Sequence, residues 1–330
     1  MAFCIDPPKP GQIVINDSGG SMQNAMKQAF YDEFEKRYGI KVVATSPVDL
    51  GKLRAMVQSK NVEWTVTEIG GQDALLAEQS GLLEPLDLKI IDLSRYPEHT
   101  QARKFVFPKG VYSTVMGYRT DVFKDGGPKS WAEFWDTKKF PGPRTLQNAP
   151  VDNLEFALLA DGVPKDKLYP IDVNRAFKAM DRVRPSIRKF WDTGALSAQM
   201  LADKEVVLGS IWNGRLQSVA EKGAPLAIEW NEAMLQSQYW APMKGAKNLE
   251  NAQQFIDFAC QPEIQAGVAK HIPYGPTNRQ AFKSIPADLA ARLPSSPENR
   301  QKAFVQNGKW WADNRPMISE RWSQWLLQKG

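Results

Sequence analysis

The chain has 330 residues, of which 42% are hydrophobic and 24% charged, and this balance indicates a globular protein rather than a disordered one. The formal net charge is +5, but the basic residues are scattered among acidic ones, which argues against a nucleic-acid-binding surface. No run of 18 apolar residues occurs, so the sequence predicts no membrane-spanning helix. A chain of this length is expected to form two domains.

The chain begins Met1-Ala2-Phe3-Cys4 and continues without a signal-peptide pattern. We therefore expect either a natural start or a mature chain whose targeting segment has been removed. Two cysteines, Cys4 and Cys260, are too few to indicate a redox compartment. Cys260 follows apolar residues on a predicted helix, which favours a buried free thiol over a disulfide with Cys4.

The first predicted unit is a strand, a glycine-containing turn and a helix. Residues 13–15 are apolar and predict a buried strand, and apolar residues recur at helical spacing from Ala25 to Phe34. The turn at residues 17–21 would direct backbone N–H groups and the positive end of a helix dipole towards a ligand. It predicts either a cradle for a polar group or an ordinary strand–helix turn. It matches neither GxGxxG nor GxxxxGK[ST], so a nucleotide site is not indicated.

The first 85 residues continue this alternation. Strands are predicted at 40–44 and 62–69, and further helices begin at Asp49 and Asp73. Alternating strands and helices predict a mostly parallel sheet, with the turns that follow the strands at one edge.

The second part of the chain mixes both kinds of element. The predicted strands are 105–107 paired with 111–118, then 206–212, 227–230 and an extended segment at 238–242. The predicted helices follow a capping box at 130–133 and cover 154–160, 175–183, 251–260 and parts of 302–327, while the proline-rich stretch 285–297 is predicted to be a loop.

Catalytic and metal-binding patterns are missing from the sequence. It has two histidines, His99 and His271, and no HExxH, CxxC or GxSxG motif, so we expect no metal and no cofactor and favour binding over catalysis. Asp152 and Glu155 lie three residues apart at a predicted helix start, a spacing compatible with an acid–base pair. Acidic residues favour the first helical turn, so a solvated helix start is the stronger expectation.

Several short motifs occur along the chain in a characteristic order. They are SGGS at 18–21, YGIKV at 38–42, GLLEPLD at 81–87, SWAEFW at 130–135, WNG at 212–214, FIDF at 255–258 and YGPTN at 274–278. In this order they resemble the periplasmic substrate-binding proteins of ABC importers, and they are similar in particular to the spermidine/putrescine-binding family.

The resemblance implies a two-lobed α/β fold of the type II periplasmic binding protein kind. Each lobe is expected to be a mixed, mostly parallel sheet flanked by helices, with a hinge of crossing strands. Lobe 1 would take residues 1–111 and 240–300, and lobe 2 residues 112–239 and 301–330. The implied function is that of a monomeric periplasmic receptor, not an enzyme, that captures a small nitrogenous solute by domain closure in an interlobe cleft and delivers it to a membrane permease.

Arg215 departs from the polyamine-binding pattern, in which an acidic residue typically follows the Trp-x-Gly motif soon afterwards. An arginine repels a cation and suits a carboxylate. Glu68 and Glu229 remain candidates to bind an amine, with Glu232 a weaker one, so we expect a polyamine or an ω-amino acid such as γ-aminobutyrate. Aromatic side chains would wall the pocket. The predicted ligand-binding residues are Ser18, Gly20, Ser21, Gln23, Glu68, Tyr112, Trp212, Asn213, Arg215, Glu229, Tyr239 and Trp240.

Two other functions remain open from the sequence. One is an enzyme on the same scaffold, because a fold does not determine a function. The other is an iron- or oxyanion-binding protein, which the scarcity of histidine disfavours but a cluster of tyrosines around Tyr112 and Tyr239 would favour.

Overall fold

The computed structural model describes residues 11–93, 96 and 103–328, and the backbone alone of Ser21. The expectations for the chain start, Cys4 and His99 lie outside the described residues. The chain divides into two compact units: unit 1 takes Met1–Val111 and Ser237–Ser296, and unit 2 takes Tyr112–Gln236 and Pro297–Gly330.

Nine strands occur in the described part of the chain. They are β1 (Gln12–Asn16), β2 (Lys41–Thr45), β3 (Val66–Gly70), β4 (Phe107–Arg119), β5 (Arg144–Gln147), β6 (Ile187–Trp191), β7 (Leu208–Trp212), β8 (Leu226–Pro242) and β9 (Phe304–Val305). The strands β4 and β8 supply residues to both units.

The helices lie between these strands along the chain, except for the last one, which follows β9. They are α1 (Gly20–Met26), α2 (Asp32–Tyr38), α3 (Leu50–Ser59), α4 (Gly71–Gln79), α5 (Trp131–Trp135), α6 (Asn153–Ala160), α7 (Val173–Val183), α8 (Gly194–Ala202), α9 (Asn213–Ala220), α10 (Leu249–Ala259), α11 (Pro262–Ala269), α12 (Ala287–Ala290), α13 (Pro297–Lys302) and α14 (Gly308–Leu327). A π-helical segment, Lys27–Tyr31, joins α1 to α2, and 3-10 turns occur at Lys165–Lys167, Arg184–Ser186 and Arg279–Ser284. None of the described helices is long and apolar enough to cross a membrane.

Unit 1 is a sheet with apolar clusters on both of its faces. Its strands follow the order β2-β1-β3-β8, in which β1, β2 and β3 are parallel and β8 is antiparallel to β3. Neighbouring side chains on a strand point to opposite faces. Trp240 accordingly packs in one cluster with Phe34 and Phe255, whereas Tyr239 packs in another with Leu53.

Unit 2 has its own core. Its strands follow the order β8-β4-β7-β5-β6, with β5 parallel to both β6 and β7. The core is rich in aromatic residues, among which Trp131 stacks on Phe156 with ring centroids 3.7 Å apart. Trp311 and Trp322 of α14 belong to the same cluster, so the chain's last helix is part of this core.

Local sequence signals explain several helix starts. The Asp49 carboxylate accepts a hydrogen bond from the Lys52 amide (2.9 Å) at the start of α3, as predicted. The Ser130 hydroxyl accepts one from the Glu133 amide (3.2 Å) at the start of α5. The glutamate of this predicted capping box accepts instead from the Lys129 amide (2.6 Å).

Two predictions of paired or separate short strands are wrong. Segments 105–107 and 111–118 were expected to pair, but β4 is one strand that passes through Pro108. Proline has no N–H to donate to a neighbouring strand, so the hydrogen bonds between strands are interrupted at Pro108. Its carbonyl accepts hydrogen bonds from the side chains of Cys260 (3.5 Å) and Thr277 (3.2 Å).

The segments 227–230 and 238–242 likewise belong to one strand, β8. The polar residues between the two segments do not fit a strand pattern, so the sequence does not predict one continuous strand. At Glu232, where the backbone φ is 58°, the carboxylate and carbonyl accept from the amide (2.9 Å) and indole (3.0 Å) of Trp131, respectively. The predicted loop 285–297 also contains the short helix α12.

Candidate functional site

The turn after β1 is organised by the buried carboxylate of Asp17. Its Oδ1 accepts from the Gly19 amide (2.8 Å) and Gln23 Nε2 (3.0 Å), and its Oδ2 accepts from the Tyr31 hydroxyl (2.8 Å). Gly19 has a φ of 69°, and a Cβ there would lie 2.7 Å from Ser46 Oγ, so the turn requires glycine. Burial raises the pKa of Asp17 above its ordinary value. Asp17 therefore fixes the turn that carries Ser18 and Gly20.

Glu68 lies near the end of β3 and gathers side chains from three other segments of unit 1. Its Oε1 accepts from Ser18 Oγ (2.7 Å) and Gln238 Nε2 (2.7 Å), and its Oε2 accepts from Lys109 Nζ (2.6 Å). We call these four residues the Glu68 cluster. The Lys109 ammonium also lies 4.9 Å from the centroid of the Trp240 ring. Ser18 and Glu68 were predicted site residues; Lys109 and Gln238 were not.

A pocket in unit 1 adjoins the Glu68 cluster. Lys109 and Gln238 are two of its lining residues. The remaining lining is largely apolar or backbone, from Met22, Met26, Phe30, Gly110, Gln265, Val268, Tyr274, Gly275 and Pro276. Such a pocket can take an alkyl group with a polar end.

In unit 2, three parallel strands end at one edge of the sheet. Strands β5, β6 and β7 end at Gln147, Trp191 and Trp212, and α8 and α9 begin shortly after the last two. The half-buried Trp212 ring meets Trp191 edge to face, with centroids 5.3 Å apart, and meets Tyr112 in the same manner at 6.2 Å. The Tyr112 hydroxyl donates to Gln236 Oε1 (2.7 Å). The structure thus brings together the predicted residues Tyr112 and Trp212.

Arg215 lies in the first turn of α9, beside this aromatic group. A Cβ at Gly194 would lie 2.7 Å from Trp212 Cε3 and 3.0 Å from Arg215 Cγ, so both side chains pack against a position that only glycine can occupy. Arg215 is half-buried. Its guanidinium makes no ion pair or hydrogen bond with the part of the chain that the structure describes. It is therefore available to an anion, and the N-terminus of α9 favours one.

Two predicted residues of unit 2 are engaged elsewhere. Asn213 is buried, its Oδ1 accepts from the Ser113 amide (2.9 Å), and its Nδ2 donates to Gln217 (3.0 Å). Glu229 forms an ion pair with Lys129 (3.0 Å). Glu229 precedes Gln236 by seven positions in β8, which is about 23 Å along a strand. Asn213 thus connects α9 to β4, and Glu229 is remote from Tyr112 and Trp212.

Tyr239 and Trp240 lie in the core of unit 1. Tyr239 is stacked by the guanidinium of Arg103, 4.8 Å from its ring centroid. Trp240 is fully buried between Phe30 and Phe255. Trp240 is the cross-strand partner of Glu68 in the pairing of β3 with β8, and the ammonium of Lys109 lies over its ring.

The expectation of a solvated helix start at Asp152 and Glu155 is wrong, because both side chains are buried. Asp152 Oδ2 accepts from Thr114 Oγ1 (2.5 Å) and Gln236 Nε2 (3.1 Å). Glu155 Oε1 accepts from the Tyr169 hydroxyl (2.5 Å) and the Trp311 indole (2.5 Å). Burial raises the pKa of Asp152 to about 7 and also raises that of Glu155. The carboxylates are thus part of the polar framework of unit 2.

The remaining predictions concern the turn and a metal. Gly20 has a φ of 60° and begins α1, and Gln23 is bonded to Asp17. The side chain of Ser21 lies outside what the structure describes. Among the described residues, no group of three or more His, Cys, Asp and Glu side chains is placed to hold a metal ion.

Sheets of parallel strands flanked by helices, with polar and aromatic side chains at the strand ends, define a ligand-binding protein of the type II periplasmic kind. The chain belongs to the family of bacterial extracellular solute-binding proteins, which matches residues 29–294.

Curated and solved relatives agree with this assignment. The chain is 34% identical to the gamma-aminobutyric acid-binding protein of Pseudomonas aeruginosa over 96% of this chain and 91% of that protein. An ABC transporter substrate-binding protein from Bradyrhizobium japonicum USDA 110 is 37% identical, with a TM-score of 0.91 over 96% of this chain and 100% of that one. The structure of the Atu4243-GABA receptor is 35% identical, with a TM-score of 0.87 over 97% and 98% of the two chains.

The predicted fold class is confirmed, and so is the predicted function as a solute-binding receptor of an ABC importer rather than an enzyme. A receptor of this family binds a small molecule and delivers it to the importer's permease. The similarity to the polyamine-binding family is also confirmed: the spermidine/putrescine-binding periplasmic protein of Escherichia coli is 25% identical over 61% of this chain and 57% of its own length.

Proposed function

We propose that this receptor binds a small ω-amino acid of the γ-aminobutyrate class, a zwitterion with one ammonium and one carboxylate group. The observation that carries the proposal is the half-buried guanidinium of Arg215, which has no carboxylate partner among the described residues. A guanidinium binds a carboxylate through two parallel charge-assisted hydrogen bonds. The ligand's carboxylate supplies that partner, and the rings of Tyr112 and Trp212 provide apolar surface for its methylene groups.

Charge in unit 1 supports the cationic half of the proposal. Asp17, Glu68 and Lys109 together carry one formal negative charge, which complements one ammonium group. The hydroxyl of Ser18 donates to Glu68 and keeps its lone pairs as acceptors for an N–H donor. A ligand with one ammonium group therefore neutralises the one negative charge of these residues. A polyamine has several positive charges and no carboxylate to pair with Arg215.

The names of two relatives support the same ligand class. The Pseudomonas aeruginosa protein and the Atu4243 receptor are both named for γ-aminobutyrate. Each is at least 34% identical to this chain over nearly its whole length. We further propose that the protein acts as a monomer in the periplasm, that units 1 and 2 are its two lobes, and that the predicted residues Ser18, Gly20, Gln23 and Glu68 serve in ligand binding.

Isothermal titration with γ-aminobutyrate, putrescine and spermidine tests the ligand class, and the Arg215→Ala variant tests the assigned carboxylate partner. Hydrogen bonds to charged groups contribute about 1.5–3 kcal/mol, so we expect the Kd for γ-aminobutyrate to rise by about 10- to 150-fold. Arg188→Ala is the matched control, because Arg188 is exposed in the same unit. Tight binding of putrescine without binding of γ-aminobutyrate would refute the proposal.

A further inference from the structure

Lys109 is a buried cation beside Glu68, the residue of unit 1 that was predicted to bind an amine. It is 7% exposed, and its ammonium donates to Glu68 Oε2 (2.6 Å) and lies over the Trp240 ring. An ammonium group has three N–H donors. Among the described residues, the Lys109 ammonium has one hydrogen-bond acceptor, Glu68. Lys109 is therefore held in place by one carboxylate and one aromatic face.

This position determines the charge that unit 1 presents to a ligand. The carboxylates of Asp17 and Glu68 lie in the same site. Asp17 accepts a hydrogen bond from the Gly19 amide in the turn, and Glu68 accepts one from Ser18 of that turn. Without Lys109 they would carry two formal negative charges and would suit two ammonium groups. With Lys109 paired to Glu68, one negative charge remains.

The adjoining pocket also restricts the shape of the ligand. Met22, Met26, Phe30 and Val268 give it apolar walls that suit a short alkyl chain. No carboxylate is among its lining residues, and its one charged lining residue is Lys109. An ammonium group at the end of an alkyl chain would lose its hydration there and meet a like charge, and both effects oppose binding.

We propose that Lys109 is a specificity-determining residue that excludes diamines and polyamines from this receptor while admitting a ligand with a single ammonium group. The inference rests on the proposed function, because it concerns the same ligand. The pocket beside Lys109 then takes methylene groups of that ligand and rejects a second ammonium group.

The test is the ratio of the Kd values for putrescine and γ-aminobutyrate, measured by isothermal titration on the wild-type protein and on Lys109→Met. Methionine keeps a long unbranched side chain and removes the charge. We expect the ratio to fall at least tenfold in favour of putrescine. The matched control is Lys104→Met, an exposed lysine in the same unit, which should leave the ratio unchanged.

A ratio within twofold of the wild-type value in folded Lys109→Met overturns the inference. If that variant does not fold, Lys109→Gln gives the answer, because it removes the charge and keeps an N–H donor for Glu68. The same tenfold gain for putrescine is expected, and no gain overturns the inference. Wild-type protein that binds neither compound refutes the proposed function itself, so the two failures are distinct.

Discussion

Asp152 combines an unusual backbone with a buried carboxylate. Its φ is 71° although it is not glycine, and its side chain is bonded to Thr114 and Gln236. Burial is the largest cause of its raised pKa of about 7, and the hydrogen bonds from Thr114 and Gln236 oppose the shift. Near neutral pH, Asp152 thus exists in both its protonated and its ionised form.

We expect the free energy of unfolding to fall as the pH rises from about 4 to about 7. Over that range the unfolded state loses the Asp152 proton while the folded state, with its pKa of about 7, keeps it. The shift corresponds to a loss on the order of 4 kcal/mol, complete above the folded-state pKa. Asp152→Asn should remove this part of the slope in urea denaturation at pH 5 and pH 8.

The exposed Asp166→Asn is the control for this measurement and should retain the full slope. Glu155 adds to the wild-type slope in the same direction, since its pKa is raised as well. The informative quantity is therefore the difference between wild type and Asp152→Asn. Equal slopes in these two proteins would contradict the assignment of the shift to Asp152.

Single residues differed in how well the sequence predicted them. Arg215 was found because it follows a recognisable Trp-x-Gly motif in the first turn of a helix. Lys109 was missed, since its importance depends on contact with Glu68, 41 positions earlier, and with Trp240, much later in the chain. The local signal was a lysine within a strand whose other residues are almost all buried. Asp152 and Glu155 were misjudged because the apolar character of α6, buried over most of its length, outweighs the preference of acids for solvent.

Helix α5 shows how a local signal supports the packing of a whole element. Three of its five residues are large aromatic side chains that are buried: Trp131, Phe134 and Trp135. The helix is too short to be stable alone. Its position depends on the Ser130 cap and on core contacts such as the stacking of Trp131 on Phe156.

Ser130→Ala should lower the free energy of unfolding by about 1 kcal/mol, since the Glu133 amide loses its capping acceptor. Urea denaturation followed by circular dichroism measures the effect. Ser130→Asp keeps an acceptor at the cap and is expected to stay close to wild type. A loss of the same size in both variants would mean that the hydroxyl serves some other contact.

Helices and short strands were predicted well where one period dominates, as in β1 and α7. The long strands were not. Strand β8 contains Asn231 and Glu232 near its middle, which a sequence pattern interprets as a break. Trp131 from another element supplies the hydrogen bonds that hold the strand together there, and no local pattern contains that information.

At the scale of the molecule, eight of the eleven tryptophans are buried. The three half-buried ones are Trp212, Trp230 and Trp310. Trp212 is the one that lies beside Arg215, so most of the change in intrinsic fluorescence on ligand binding should come from it.

Trp212→Phe should remove most of the change in tryptophan emission that γ-aminobutyrate causes in the wild-type protein. Phenylalanine preserves an aromatic ring against Trp191 and Tyr112, so the fold is retained. Trp310→Phe is the control, because Trp310 packs with Trp311 and Tyr169 in α14 and its surroundings. A full emission change in Trp212→Phe would place the ligand away from this ring.

The buried thiol of Cys260 has a practical consequence. Its Sγ donates to the Pro108 carbonyl, it is fully buried, and burial raises its pKa well above the ordinary value. Alkylating dyes react with thiolates, so the folded protein hides this cysteine from them. With Cys4 replaced by serine, a single cysteine introduced at an exposed position becomes the sole labelling point for a dye, and the receptor becomes an optical sensor for its own solute.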